Sequence, residues 1–170
     1  GASGRNGGQI VHSYSRDIDV IEAQFGAEVA APLGRMMFEG SQIIRDRVTR
    51  YGIDCDLKNG GIFAATTPAK VAHLQTQKSL WEKWGHRHLT LLTDKVSVQS
   101  MVNSGRYHGL LVDPTGGHFH PLNLALGEAA ALESLGGTIH EQSGVTRIER
   151  GRIATVHTAQ GNVRTKFVIV

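Results

Sequence analysis

The chain has 170 residues, of which 40% are hydrophobic and 19% are charged, and its formal net charge at pH 7 is +3. This composition excludes a disordered chain, and no apolar run approaches the ~18 residues that a membrane-spanning helix needs. The basic residues are dispersed and no aromatic residues alternate with them, which argues against a nucleic-acid-binding surface.

The first segment, GASGRNGGQIVHSYSRD, is rich in glycine, and residues 1–16 are predicted to form a loop. Such a loop offers backbone N–H groups without side chains in the way, so it suits a phosphate or a flat ring. From Asp17 the pattern becomes helical, with Ile18, Ile21 and Phe25 on one face and Gly26 at the end. A longer helix follows, with Pro32 near its start, and it ends at Gly52.

The segment CDLKNGGIFAATT predicts a hairpin, because Asn59, Gly60 and Gly61 suit a tight turn. Thr67 and Pro68 then predict the cap and first position of a helix that ends at Gly85. LTLLT predicts a short strand, and DKVSVQSMV predicts a short helix.

That short helix is capped by Asp94. GLLVDPTGGHFH predicts a strand, a turn and a second strand, with the reversal at residues 113–117. PLNLALGEAAALESLGG predicts a helix that starts at Pro121 and ends at Gly136. The strands predicted after it are TIHEQ, GVTRIERG, RIATVHTAQ and NVRTKFVIV.

The overall prediction is a mixed α/β chain with a break near residue 120. The apolar run FVIV is typical of a buried strand in a parallel sheet. Because an apolar strand is unusual at a natural terminus, we expect the chain to be part of a longer protein at both ends.

Cysteine and histidine give few signals of chemistry. Cys55 is the only cysteine, which excludes an intramolecular disulfide and fits a reducing compartment such as the cytoplasm. Its neighbours Asp54 and Asp56 raise the pKa of a thiol, so we expect a small buried hydrophobe. His86 and His88 suggest a metal pair, but no carboxylate or cysteine lies at a suitable spacing in sequence, and no metal site is predicted.

Several other side chains carry no signal of chemistry in their sequence context. Trp81 and Trp84 are predicted to be packing residues because of their helical spacing. No role follows for the isolated histidines, which are His12, His73, His108, His140 and His157.

Two blocks of the sequence carry a family resemblance. The segment ASGRNGGQ and the segment HFHPLNLALGEAAALESLGGTIHEQSGVTRIERG, in this order and spacing, resemble FAD-dependent oxidoreductases of the D-amino-acid oxidase superfamily. The resemblance covers essentially the whole chain. It implies a partial FAD-binding doubly wound domain with part of an antiparallel substrate-binding domain. The family's opening GxGxxG strand-helix unit and its C-terminal half are absent from this sequence.

The resemblance also implies site residues. The backbone of the opening loop is expected to pass along the flavin, with Arg5 placing a cation near the diphosphate or the reduced ring. Val145 is expected to contact adenine through its backbone. His118 and His120, which alternate on a predicted strand and so face the same side, are weak candidates for protonating or orienting a substrate. The complete set of expected cofactor contacts is Ser3, Arg5, Asn6, Gly7, Gly8, Gln9 and Val145.

The implied organisation has three parts. Residues 1–52 are expected to contribute the glycine loop and helices of the flavin domain, residues 53–119 part of the substrate-binding domain, and residues 120–170 a helix and strands of the flavin domain.

The implied reaction is oxidative deamination of an amine of putrescine breakdown, gamma-glutamylputrescine, with hydride transfer to FAD and reduction of O₂ to H₂O₂. The expected partners are therefore a small-molecule amine, O₂ and the remainder of the protein's own chain, with no nucleic acid and no membrane. Two alternatives stay open: another amine or amino-acid oxidase or dehydrogenase of the superfamily, and a non-catalytic binding module that keeps the fold.

Overall fold

The computed structural model describes residues 2–170, which belong to two compact units. The first unit extends to Ala131 and the second is Leu132–Val170. Helices and strands alternate along the chain, so the predicted mixed α/β class is confirmed. The elements of the first unit are β1 (Gln9–Ile10), α1 (Ile18–Phe25), α2 (Ala27–Tyr51), β2 (Lys58–Ala65), α3 (Pro68–Lys83), β3 (Thr90–Leu92), α4 (Lys95–Val102), β4 (Gly109–His118) and α5 (Pro121–Ser134), which continues past Ala131.

The helices begin and end where local signals predict. The Thr67 side chain accepts a hydrogen bond from the Lys70 amide at the start of α3, and Asp94 accepts one from Ser97 at the start of α4. Each bond satisfies one amide that a first helical turn leaves without an intrahelical partner. At the end of α2, Gly52 has φ +60°, the left-handed conformation that glycine adopts at least cost.

An antiparallel sheet organises the first unit around β4. Strand β2 pairs along one edge of β4, from Lys58 opposite His118 to Ala65 opposite Gly109. The other edge is shared by β1 and β3, which pair with opposite ends of β4. The glycine loop that leads into β1 is therefore held at the His118 end of β4.

The two predicted hairpins are wrong. The NGG segment lies inside β2, and the DPTGG segment lies inside β4. Between the pairs Gly61 with Asp113 and Asn59 with Gly117 the register shifts, so both segments form an irregularity within one strand pair. Proline and glycine fit such a bulge as well as they fit a turn, because the ladder is locally interrupted there.

Two clusters of buried side chains form the core of the first unit. The larger cluster packs α3 on the sheet through Trp81, Leu74 and Leu111. Trp81 is buried, and the ring of Trp84 would lie about 3.1 Å from a Cβ at Gly34, so the prediction that both tryptophans are packing residues is confirmed. The smaller cluster contains Ile53, Cys55 and Leu124.

The second unit is a three-stranded antiparallel sheet in the order β5-β6-β7, formed by β5 (Val145–Glu149), β6 (Ala154–Thr158) and β7 (Asn162–Thr165). One prediction is wrong here, since TIHEQ forms no strand. FVIV lies beyond β7, with Phe167 84% and Ile169 99% exposed. A buried parallel strand needs parallel neighbours, and the described strands of this unit pair only antiparallel, so the place of FVIV in a parallel sheet stays a prediction.

Candidate functional site

The opening loop is folded by the side chain of Asn6. Its amide nitrogen donates to the carbonyl oxygens of Ala2 (3.2 Å) and Ser3 (2.8 Å), and its Oδ1 accepts the backbone N–H of Gly8 (2.8 Å). The Arg5 amide donates to the same Ala2 oxygen at 3.1 Å. Asn6 therefore shapes the loop from within, and its hydrogen-bonding groups face the loop backbone.

A cavity of about 500 Å³ lies beside this loop. It is bordered by the loop and β1 on one side and by the irregular stretches of β2 and β4 on the other. Five of the twelve lining residues are glycines. The lining residues are Gly7, Gln9, Ile10, Val11, Gly60, Gly61, Ile62, Phe63, Asp113, Gly116, Gly117 and His118.

The glycines that line this cavity, and Gly8 next to it, differ in what surrounds them. A Cβ at Gly8 would lie 2.0 Å from the carbonyl oxygen of Phe119, and one at Gly117 would lie 2.3 Å from that of Lys58. These two positions are required by close backbone packing. A Cβ at Gly7 or Gly60, in contrast, would have no described atom within 4 Å. Both positions leave open space at the cavity, where a ligand can approach the backbone, and Gly60 also has φ +95°, a conformation that favours glycine.

The predicted polar contacts of the loop are exposed. Ser3, Arg5 and Gln9 all face solvent. Among residues 2–170 no ion pair or side-chain hydrogen bond engages Arg5, whose guanidinium therefore has its full donor capacity available. Gln9 lines the cavity directly, and its backbone is fixed opposite His118 in the β1–β4 pair.

The two histidines predicted as weak catalytic candidates occupy different settings. His118 ends β4, is exposed and lines the cavity. His120 lies beyond the strand, where its Nδ1 accepts the Asn123 amide at 3.3 Å at the start of α5. The expectation that both alternate on one strand is therefore wrong, because β4 ends at His118.

Cys55 is a buried apolar residue, as predicted. It is 1% exposed, and burial together with the neighbouring Asp54 carboxylate raises the pKa of its thiol. A thiol with a raised pKa forms little of the reactive thiolate at neutral pH.

A buried polar cluster lies behind the cavity wall, formed by His12, His86, Asp113 and Thr115. His12 Nδ1 lies 2.8 Å from Asp113 Oδ2, and His86 Nε2 lies 3.1 Å from Asp113 Oδ1. Thr115 donates to the same Oδ1 through its backbone N–H (3.0 Å) and its hydroxyl (2.8 Å). His12, His86 and Asp113 are 1%, 5% and 2% exposed.

The hydrogen bonds of this cluster decide the ionisation of Asp113. Burial by itself would raise the pKa of this carboxyl group. The hydrogen bonds from His12, His86 and Thr115 outweigh burial and hold the pKa well below its usual range. Asp113 is therefore an ionised carboxylate that also lines the cavity.

The same three residues, His12, His86 and Asp113, are of types that bind metal ions. The distances favour direct hydrogen bonding instead. All three candidate ligand atoms lie within 4.8 Å of one another. Both N···O contacts, at 2.8 and 3.1 Å, have hydrogen-bond lengths.

Sequence reasoning missed His12 and Asp113. His12 follows buried Ile10 at strand spacing, and Asp113 follows buried Leu111 in the same way, so each shares the inward face of its neighbour. This period of two was the available signal. It was hidden at Asp113 by the interpretation of DPTGG as a turn.

Comparison with known proteins identifies the family. The model of the family described as DAO, FAD dependent oxidoreductase, matches residues 1–170. The chain belongs to this family. The predicted resemblance is thereby confirmed over the whole chain, and FAD is the cofactor of the family.

The relatives are similar along the whole chain. It is 54% identical over 170 residues to gamma-glutamylputrescine oxidoreductase of Escherichia coli K12, and 36% identical over 172 residues to the probable oxidoreductase OrdL of Haemophilus influenzae Rd. All of this chain is covered in both cases, but only 40% of each relative. This DAO-family chain therefore spans about two fifths of the length of these relatives.

Solved structures agree on the fold. Glycine oxidase of Geobacillus kaustophilus matches 98% of the chain with a TM-score of 0.70 at 21% identity, over 44% of its own chain. L-amino acid deaminase of Proteus myxofaciens matches 96% with a TM-score of 0.73 at 17% identity, over 35% of its own chain. At these identities the likeness establishes the fold alone.

The residues present fit part of an FAD molecule. A flat ring or a diphosphate needs backbone without side chains, and Gly7 and Gly60 provide open space at the cavity. Arg5 supplies an exposed cation on the same loop. Val145, the predicted adenine contact, is the first residue of β5 in the second unit and is 56% exposed.

Among residues 2–170, no helix has both the length and the apolarity that are needed to cross a bilayer.

Proposed function

We propose that the full-length protein is a flavin-dependent amine oxidase that acts on gamma-glutamylputrescine. The observation that carries this proposal is the 54% identity, over the whole chain, to the E. coli protein named gamma-glutamylputrescine oxidoreductase. The glycine-lined cavity beside the opening loop supports it. In the proposed reaction the substrate carbon next to nitrogen loses a hydride and the nitrogen loses a proton, which gives an imine. Water hydrolyses the imine to an aldehyde and ammonia, and O₂ takes up the two electrons and two protons to give H₂O₂.

FAD supplies the two-electron acceptor when it is bound; this chain positions it. Gly7 and Gly60 leave the cavity open to it, and Gln9 lines the cavity from β1. Asn6 holds the loop in shape, and Gly8 allows the loop to pass against Phe119. Contacts to FAD from Ser3, Arg5 and Val145 belong to the same proposal.

His118 is the histidine we propose for orienting the substrate, since it lines the cavity and is exposed. His120 is bound to the start of α5. Residues 53–119 would contribute part of the substrate-binding domain, and the flanking ranges 1–52 and 120–170 part of the flavin domain. A cytoplasmic location is also part of this proposal.

The first test is the visible spectrum of the full-length protein, purified without added flavin. We expect flavin bands that bleach when gamma-glutamylputrescine is added without oxygen, and one H₂O₂ per turnover when air is admitted. Bands that persist with this amine but bleach with another would contradict the substrate. A colourless protein that takes up no added FAD would refute the flavoenzyme proposal and favour a binding module.

Arg5→Ala tests the loop contact. Loss of a charge-assisted hydrogen bond of about 1.5–3 kcal/mol predicts a roughly 10- to 150-fold weaker affinity for FAD, or slower flavin reduction. Arg106→Ala, also at an exposed position in the first unit, is the matched control and should bind FAD normally. Equal affinity and equal reduction rate in the two variants would remove Arg5 from the site.

A further inference from the structure

The buried cluster adjoins the cavity in two places. Asp113 lines the cavity with its own atoms, and its Oδ2 would lie 3.4 Å from a Cβ at the cavity glycine Gly116. His12 directly follows Val11, another cavity residue. A change of charge in the cluster therefore acts on the cavity across a single layer of residues.

The protons of the cluster can be assigned from its hydrogen bonds. An ionised carboxylate only accepts, so the ring nitrogens that face Asp113, His12 Nδ1 and His86 Nε2, each carry a hydrogen. The opposite nitrogen of His12, Nε2, is buried and has no hydrogen-bond partner among the described residues. A second proton on an imidazole ring would change the cluster from a net charge of −1 to neutral without breaking a bond to Asp113.

The side chains packed directly against the cluster from the two neighbouring helices are aromatic. Helices α2 and α3 present Phe38 and Trp81, which do not titrate near neutral pH, and the Phe38 ring stacks on His86 at 4.4 Å between centroids. The other titratable or charged groups nearby are His88, with its ring 6.2 Å from that of His86, Arg45, which donates to the Gly116 carbonyl at 2.8 Å, and His118, which lines the same cavity as Asp113. Arg45 keeps its charge at all relevant pH values.

We propose that His12, Asp113 and His86 form a proton-binding positioning network whose charge sets how strongly the neighbouring cavity holds a reduced, anionic flavin relative to the oxidised one. This inference rests on the proposed function. With the extra proton the cluster is neutral and tolerates an anion nearby; without it the Asp113 carboxylate opposes that anion. Reduction of the flavin should therefore be accompanied by uptake of a proton into the network.

The test is a variant that keeps the hydrogen bonds and removes the titration. His12 uses its δ nitrogen, which the amide of asparagine can replace, and His86 uses its ε nitrogen, which the amide of glutamine can replace. The full-length H12N/H86Q protein should therefore fold and bind FAD. H73N, at an exposed helix position, is the matched control.

The measurements are the flavin midpoint potential and the FAD dissociation constant between pH 5.5 and 9. The quantity compared is the affinity for reduced flavin divided by the affinity for oxidised flavin, corrected for the pH dependence of free flavin. In the wild type and H73N, we expect this ratio to fall about tenfold from low to high pH, which is an ordinary size for coupling between two sites. In H12N/H86Q this extra dependence should vanish. The same pH dependence of the midpoint potential in all three proteins would overturn the proposal, although FAD binding itself would still support the proposed function.

Two further outcomes are decisive. If H12N/H86Q does not fold, proton uptake during flavin reduction is measured in the wild type with a pH indicator, and uptake no greater than that of free flavin would refute the network. Stoichiometric tight binding of Zn²⁺ to the wild type, absent from a His12 variant, would replace it with a metal site. Failure of every protein, wild type included, to bind FAD would instead refute the proposed function.

Discussion

Replacing Gly8 with alanine should strongly destabilise the first unit. Gly8 has φ +65°, a conformation that costs a residue with a side chain about 1–2 kcal/mol. The added Cβ would also lie 2.0 Å from the carbonyl oxygen of Phe119. The backbone N–H of the same Phe119 donates a hydrogen bond to the carbonyl oxygen of Gly8 at 2.9 Å. Since the obstacle is backbone, relief requires movement of the β4–α5 connection, at about 1–3 kcal/mol. The total expected loss is about 2–5 kcal/mol of unfolding free energy.

The assay is urea unfolding of the full-length protein followed by circular dichroism, with Gly7→Ala as the matched control. A Cβ at Gly7 has no described atom within 4 Å, so this variant should unfold within about 0.5 kcal/mol of the wild type. Because the same methyl group would enter the cavity, Gly7→Ala should nevertheless weaken FAD binding. A Gly8→Ala protein as stable as Gly7→Ala would refute the assignment of Gly8 to backbone packing.

Two other substitutions test the packing and the charge of the first unit. Asp113→Asn should lower the unfolding free energy at pH 7 by about 1–3 kcal/mol. Because the folded-state pKa of Asp113 is lowered, its stabilisation is present above the unfolded value of about 3.9 and is lost as the pH falls below it. Thermal melts should therefore show a smaller difference between variant and wild type at pH 3 than at pH 7, and a constant difference would contradict this. Gly127→Ala should lower the unfolding free energy by about 1–3 kcal/mol, because its Cβ would lie 2.3 Å from Ile53 Cγ2. Its control is Gly40→Ala in α2, where a Cβ has no described atom within 4 Å, and this variant should raise the unfolding free energy by up to about 1 kcal/mol. Equal denaturant midpoints for the two variants would contradict the packing of Gly127 against Ile53.

The helices could be predicted from sequence because their ends are determined locally. The Thr67–Pro68 pair, Asp94 and Gly52 each act on backbone groups within the adjacent turn, so the signal and its effect lie within a few residues. No distant part of the chain is needed to interpret them.

The strand errors have the opposite origin. NGG and DPTGG suit a turn when each is read alone. They form a bulge because the two segments face each other across the β2–β4 pair, with Asn59 opposite Gly117. Whether glycine and proline reverse a chain or interrupt a ladder was decided by a partner more than fifty positions away, which local patterns do not reveal.

The candidate site likewise has one part that depends on neighbouring residues and one part that depends on residues far apart in sequence. The loop of residues 2–9 could be found from sequence, because its glycines and Asn6 are contiguous and its shape depends on its own hydrogen bonds. The buried network could not, because it joins His12 to Asp113 across 101 positions and His86 to Asp113 across 27. Each residue alone is unremarkable: a histidine after a loop, a histidine after a helix, an aspartate before a proline. Their chemistry arises only when β4 continues through Asp113 and turns the carboxylate inward, so the misread turn and the missed network are one error.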